Sequence, residues 1–255
     1  MNKLTITSKK LVSKIVVAAM LLALCVVFMK FIPISLPVLP FARVSLGPAL
    51  IIFASFYLGP LWGLVIGAGA DLIGFAFDTT GYGYFPGITI MYALLGLLAH
   101  FVFKFVKTIR SKENLTVVFV VFVSFLLLLC TVNILRMDTF TLNLADVEFD
   151  IRVKIAIIST MFLLAAVMLT LILVYQRMKR NREKQQDMLP LQIALSSMIL
   201  EIFVITLFGA MVKSYHFGMD FSIVVFTQLI ILFINVPLNT IIITVLSRIT
   251  ARFID

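Results

Sequence analysis

The chain has 255 residues, 62% of them hydrophobic and only 13% charged, with a formal net charge of +9. A soluble domain carries about 25% charged residues, and no polar stretch here exceeds about fifteen residues, so the composition excludes a soluble enzyme or a separate soluble domain. The positive charge is not a nucleic-acid footprint. It sits in four short clusters, at Lys3–Lys14, Lys104–Lys112, Arg177–Lys184 and Arg248–Arg252, between apolar runs of spanning length, as the positive-inside rule predicts for cytoplasmic loops.

The first apolar run, Ile15–Phe31, reads as a spanning helix. Lys30 and prolines follow it rather than a small-residue cleavage site, so no cleavable signal peptide is expected. Ala19 and Ala23 form a small-residue pair on it, four apart. The segment Lys30–Arg43 is rich in proline, which blocks helix. It reads as a lid, a pocket wall or a plain interfacial loop.

From Val44 to Ala70 no side chain is charged. This region is either one long helix or a hairpin turning at Gly59-Pro60. Charge decides for the hairpin, because only then do all four basic clusters share a side, opposite the acidic loop Asp138–Asp150. Each arm is then short, and Pro60 suits a first helical turn. Gly63, Gly67, Ala68, Gly69, Ala70 and Gly74 give the second arm a small face for a closely packed neighbour.

Further spans are expected at Gly87–Phe103, Leu115–Leu135, Ile155–Tyr175, Leu189–Val212 and Phe221–Leu246. The fold class is therefore all-α, a polytopic bundle of about eight helices forming one membrane domain over 1–255, with both termini cytoplasmic.

Polar residues inside such a bundle are functional candidates. Arg43 stands at the mouth of a span, either forking onto a ligand or snorkelling to headgroups. The loop Asp78–Pro86 carries Tyr82, Tyr84 and Phe85 among glycines, fit for a flat heteroaromatic ligand or for an interfacial belt. Asp71 and Glu201 lie within spans and read as structural polar groups needing partners. Asn235 and Asn239 share a face of the last helix beside Pro237, either binding ligand or holding carbonyls freed by the proline. Cys25 and Cys130 read as packing residues. Metal-ligand spacing, a phosphate-binding glycine loop and nucleophile motifs are all missing, so no cofactor, metal or catalytic residue is expected.

Arg43-Val-Ser-Leu-Gly47, Leu58-Gly-Pro-Leu-Trp-Gly63, Gly67-Ala-Gly-Ala-Asp-Leu-Ile-Gly74 and Tyr84-Phe-Pro-Gly87, in this order, resemble the substrate-binding S components of energy-coupling factor transporters, of the folate type. Residues 14–107 carry the best match, and Ile234–Ile243 resembles the family's final helix. The resemblance implies a non-enzymatic subunit of the cell membrane. It would capture folate or a related pterin-like compound on the outer face, then topple while docked on a transmembrane coupling subunit driven by two cytoplasmic ATPases.

Arg43 and the Tyr84–Gly87 loop would meet the ligand ring, and Ala19 and Ala23 the coupling subunit. Ser45 and Thr89 join the ligand-binding candidates, with Asn235 and Asn239. The family usually has six helices, so residues 113–177 read as an inserted hairpin before the last two helices at 188–250; alternatively Leu115–Leu135 is the family's fifth helix. A stand-alone secondary transporter of a small organic anion, an S component for another vitamin and a ligand-free membrane scaffold remain as rivals.

Overall fold

The structure is a computed structural model that describes residues 2–32, 34–36, 39–77, 83–109, 111–136, 139–142, 145–148, 151–177, 188–218 and 220–254. Among these residues the helices are α1 (Asn2–Lys30), α2 (Gly47–Leu58), α3 (Pro60–Ala76), α4 (Pro86–Lys107), α5 (Lys112–Arg136), α6 (Ile151–Arg177), α7 (Leu189–Leu200), α8 (Gly209–Phe217) and α9 (Phe221–Ile254). A π-helical segment, Glu201–Phe208, joins α7 to α8, so one rod runs from Leu189 to Phe217. The result is eight rods among the described residues, the expected polytopic helical bundle. Five are long and apolar enough to cross a membrane by themselves, and α2, α3 and part of α6 are shorter apolar helices.

Two antiparallel ribbons interrupt the helices. β1 (Ile34–Leu36) pairs with β2 (Leu39–Val44), and β3 (Thr139–Leu142) with β4 (Ala145–Glu148). Residues 34–36 and 39–44, after α1, thus form an irregular antiparallel ribbon. Its register shifts between Ser35 and Leu36.

The turn at Gly59-Pro60 is present. Gly59 has φ +109°, a conformation L side chains rarely adopt, and Pro60 opens α3. α2 has only 12 residues, about 18 Å of rise, well short of a ~30 Å hydrocarbon core. It survives because protein surrounds it. Every residue from Gly47 to Ser55 is buried, as is Leu58.

The small face of α3 does what its composition suggests. A Cβ on Gly63 would meet the carbonyl oxygen of Gly96, and one on Gly67 that of Tyr92, so α3 and α4 touch backbone to backbone. Gly69 and Gly74 face Leu22 and Lys30 of α1.

The inner cluster joins α1, α2, α3, α4, α7 and α9 around Cys25, Ile51, Ile66, Leu95 and Ile243. A second cluster sets one stripe of α5 (Leu115, Phe119, Leu126, Cys130, Ile134) and Met161, Ala165 and Met168 of α6 against α7 and α9. The remaining faces of α5 and α6 are exposed and apolar, at Val121, Phe125, Leu128 and Leu163 among others, as lipid-facing helices must be.

Candidate functional site

The ribbon β1–β2 ends against the last helix. Val44 is buried with Ile231 and packs against Ile234 and Leu238 of α9. Arg43 pairs with Ser35 across the ribbon; its side chain lies outside the described residues, as does Tyr82 altogether. Ser45 fastens the junction. Its hydroxyl donates to the Phe28 carbonyl at 3.1 Å and accepts the Gly47 N–H at 3.2 Å, tying α1 to the start of α2. Its hydrogen-bonding capacity is thus largely engaged within the protein.

Asp71 has the donor its burial demands. Thr89 of α4 donates to Asp71 Oδ2 at 2.6 Å, and Tyr84 Oη stands 2.9 Å from the same Thr89 oxygen. A hydroxyl has one proton to give. With that of Thr89 directed at Asp71, the Tyr84 hydroxyl is the donor in the second bond. The chain runs from a buried carboxylate out to a half-exposed loop, and fixes Tyr84 against Phe75 at a centroid distance of 5.2 Å. Phe85, next along the loop, stacks on His216 at 4.4 Å and 17°. Gly87 leaves room for this, since a Cβ there would lie 2.5 Å from the Phe85 ring and 2.9 Å from Val212. Tyr84 and Phe85 are therefore clamped between α3, α4 and the end of α8. Residues 213–217, beyond the span expected to end at Val212, continue that helix to a left-handed cap at Gly218.

A second polar centre lies deeper. Glu201, at the head of the π-helical segment, is 2% exposed. Asn239 Nδ2 donates to its Oε1 at 3.0 Å, and the Asn235 side chain lies beside the same carboxylate. Asn239 thus serves the carboxylate rather than the carbonyls near Pro237. The Asn235 oxygen and the Thr206 hydroxyl are buried without a hydrogen-bond partner among the described residues.

Ala19 and Ala23 are exposed on α1, between Val16, Met20, Leu24 and Val27, while Ala18, Leu21, Cys25 and Val26 turn inward. The pair sits on the outer face of a rod whose residues are mostly exposed. The structure thus brings Thr89, Tyr84 and Asp71 into one chain of hydrogen bonds, and Glu201, Asn235 and Asn239 into another. His216 is the residue that sequence reasoning passed over. Its signal was weak, a lone histidine near a helix end, and its partner Phe85 is remote in sequence.

No protein-family model and no solved structure matches the chain. Among curated proteins it is 29% identical over 143 residues to the folate transporter FolT of Clostridium novyi (strain NT), covering 56% of this chain and 78% of that one. The relative is accordingly the shorter chain. The protein is a multi-pass membrane protein similar to a folate transporter.

Proposed function

We propose that this chain is the substrate-binding S component of an energy-coupling factor importer, with folate or a pterin-like compound as ligand. The observation that carries the reading is the similarity to the folate transporter over most of that relative's length. The clamped aromatic loop and the buried polar residues beneath the β1–β2 ribbon fit an amphipathic, flat ligand bound from one end of the bundle.

In this reading Arg43, Tyr82, Tyr84 and Phe85 contact the ligand. Thr89 and Asp71 hold Tyr84 in place, Ser45 holds the ribbon, and Asn235 and Asn239 line the deep side. Ala19 and Ala23 dock on a transmembrane coupling subunit worked by two cytoplasmic ATPases. The α5–α6 hairpin is an insertion on a six-helix core, consistent with the shorter relative. Capture requires the outward state to bind tightly, and docking must distort the loops to release ligand inward, since only differential affinity shifts such an equilibrium.

Thermal unfolding of the purified chain with folate, other vitamins and purines tests the ligand. A compound at ~100 times its dissociation constant adds about 2.7 kcal/mol, or about 5–10 °C for a chain of this size. A shift with folate alone supports the proposal. A shift with a different vitamin keeps the subunit class and overturns the ligand, and no shift with any compound overturns both.

A further inference from the structure

The deep polar centre has unused capacity of one kind. A carboxylate offers about four lone-pair sites. Asn239 occupies one on Glu201, and Asn235 lies beside the same carboxylate. Because a carboxylate only accepts, the Asn235 amide nitrogen faces it, and the Asn235 oxygen is the atom left over. That oxygen and the Thr206 hydroxyl are unpartnered among the described residues, on side chains 6% and 1% exposed. Glu201 and Thr206 are five apart, the hydrogen-bond period of a π-helix, so they share its face. A buried polar atom without a partner is costly, and a carboxylate with free lone pairs, the Asn235 oxygen and the Thr206 hydroxyl, which can accept, together suit a ligand that donates.

Position supports a ligand rather than a structural reading. Asn235 lies four residues from Ile231 and three from Leu238, on the stripe of α9 that Val44 covers. The centre is therefore beside the ribbon that carries Arg43. The clamped loop, with Phe85 on His216, is farther along the same rod, about 20 Å from Glu201 at helical rise. An elongated ligand can reach both.

Resting on the reading above, we infer that Glu201, Asn235 and Thr206 recognise a flat nitrogen heterocycle by an edge of adjacent N–H donors, the 2-amino-4-oxo pyrimidine edge of a pterin. Glu201 accepts from the ring N–H and the exocyclic amine, and the Asn235 and Thr206 oxygens accept the remaining proton. A counterpart with oxygen in place of the 2-amino group presents an acceptor to these acceptors and is rejected.

Titration calorimetry with folate and its 2-deamino-2-oxo counterpart tests this on the wild type, Glu201→Gln and Thr206→Val. The wild type should prefer folate by about tenfold or more, the scale of a charge-assisted hydrogen bond. Glu201→Gln should bring the two compounds within about threefold of each other, and Thr206→Val, which keeps volume, should weaken folate alone by a few fold. Thr206→Val also keeps the test open if Glu201→Gln fails to fold. Equal losses for both compounds, or an unchanged preference, overturn the inference and leave the folate reading standing. A wild type that ignores folate but binds guanine or isocytosine with the same Glu201 dependence overturns the folate reading and keeps the inference. One that binds no compound with the amino edge overturns both.

Discussion

Gly67→Ala adds a single methyl group where α3 meets α4. The new Cβ would meet the Tyr92 carbonyl oxygen, with the Tyr92 carbonyl carbon at 2.8 Å and the Ala93 nitrogen at 3.3 Å. Ordinary contact begins near 3.4 Å, and all three atoms are backbone, so no side chain can swing aside. The helices have to part by several tenths of an ångström or more. Overpacking of this kind costs 1–3 kcal/mol, and contact with backbone puts it near the top of that range. Alanine returns about 1 kcal/mol through its better helix propensity. The net expectation is a loss of about 2 kcal/mol, or about 4–8 °C in unfolding temperature.

Gly69→Ala is the matched control. Its Cβ meets only the flexible end of Leu22, at 3.2 Å, so it should be neutral or gain up to about 1 kcal/mol. The effect of Gly67→Ala should reach the ligand as well. Asp71 is one turn beyond Gly67, and Thr89 is three residues before Tyr92. Parting α3 from α4 therefore stretches the 2.6 Å Thr89–Asp71 bond and loosens Tyr84. Thermal unfolding of both variants, with and without ligand, reads each part. A Gly67→Ala protein as stable as Gly69→Ala would refute the backbone contact on which this reasoning rests.

Thr89→Val removes the proton that Asp71 receives and the acceptor for Tyr84; leaving a buried carboxylate short of a donor should lower stability by about 1–3 kcal/mol in denaturation experiments. Arg43→Ala should weaken ligand binding by about tenfold or more in a folded protein, and an unchanged dissociation constant would remove Arg43 from the site. Ala19→Leu with Ala23→Leu enlarges an exposed face, so melting temperature and ligand affinity should hold while transport with the coupling module stops; surviving uptake would move the docking surface elsewhere.

The helical bundle was readable because each part of it follows from a local rule. Apolar runs of spanning length and clustered basic residues gave the rods and the hairpin at Gly59-Pro60. The glycines of α3 predicted close packing because a missing Cβ allows little else. The ribbons were harder to read, since proline excludes helix without specifying which strand pairs with which. The π-helical segment left no mark, because Glu201–Phe208 is a run of mostly apolar residues after one glutamate, with no glycine or proline, and reads like any α-helical span.

The polar partners were the least legible. Thr89 is 18 residues from Asp71, and Asn239 is 38 from Glu201, so each bond exists only once the helices are placed. Burial predicted that both carboxylates would have donors, but it could not say which. Asn235 and Asn239 were visible as one face of α9; that they address a carboxylate across the bundle was not.

In the proposed reading this chain is a binding subunit that does not carry its ligand across alone. Uptake of labelled folate into liposomes tests that claim directly, with the chain reconstituted by itself or together with the coupling subunit and its two ATPases. The account predicts binding without uptake for the chain alone, even under an imposed proton gradient, and ATP-dependent uptake once the module is present. Gradient-driven uptake by the chain alone would contradict it and make the protein a secondary transporter, with Asp71 and Glu201 as its intramembrane ionisable groups.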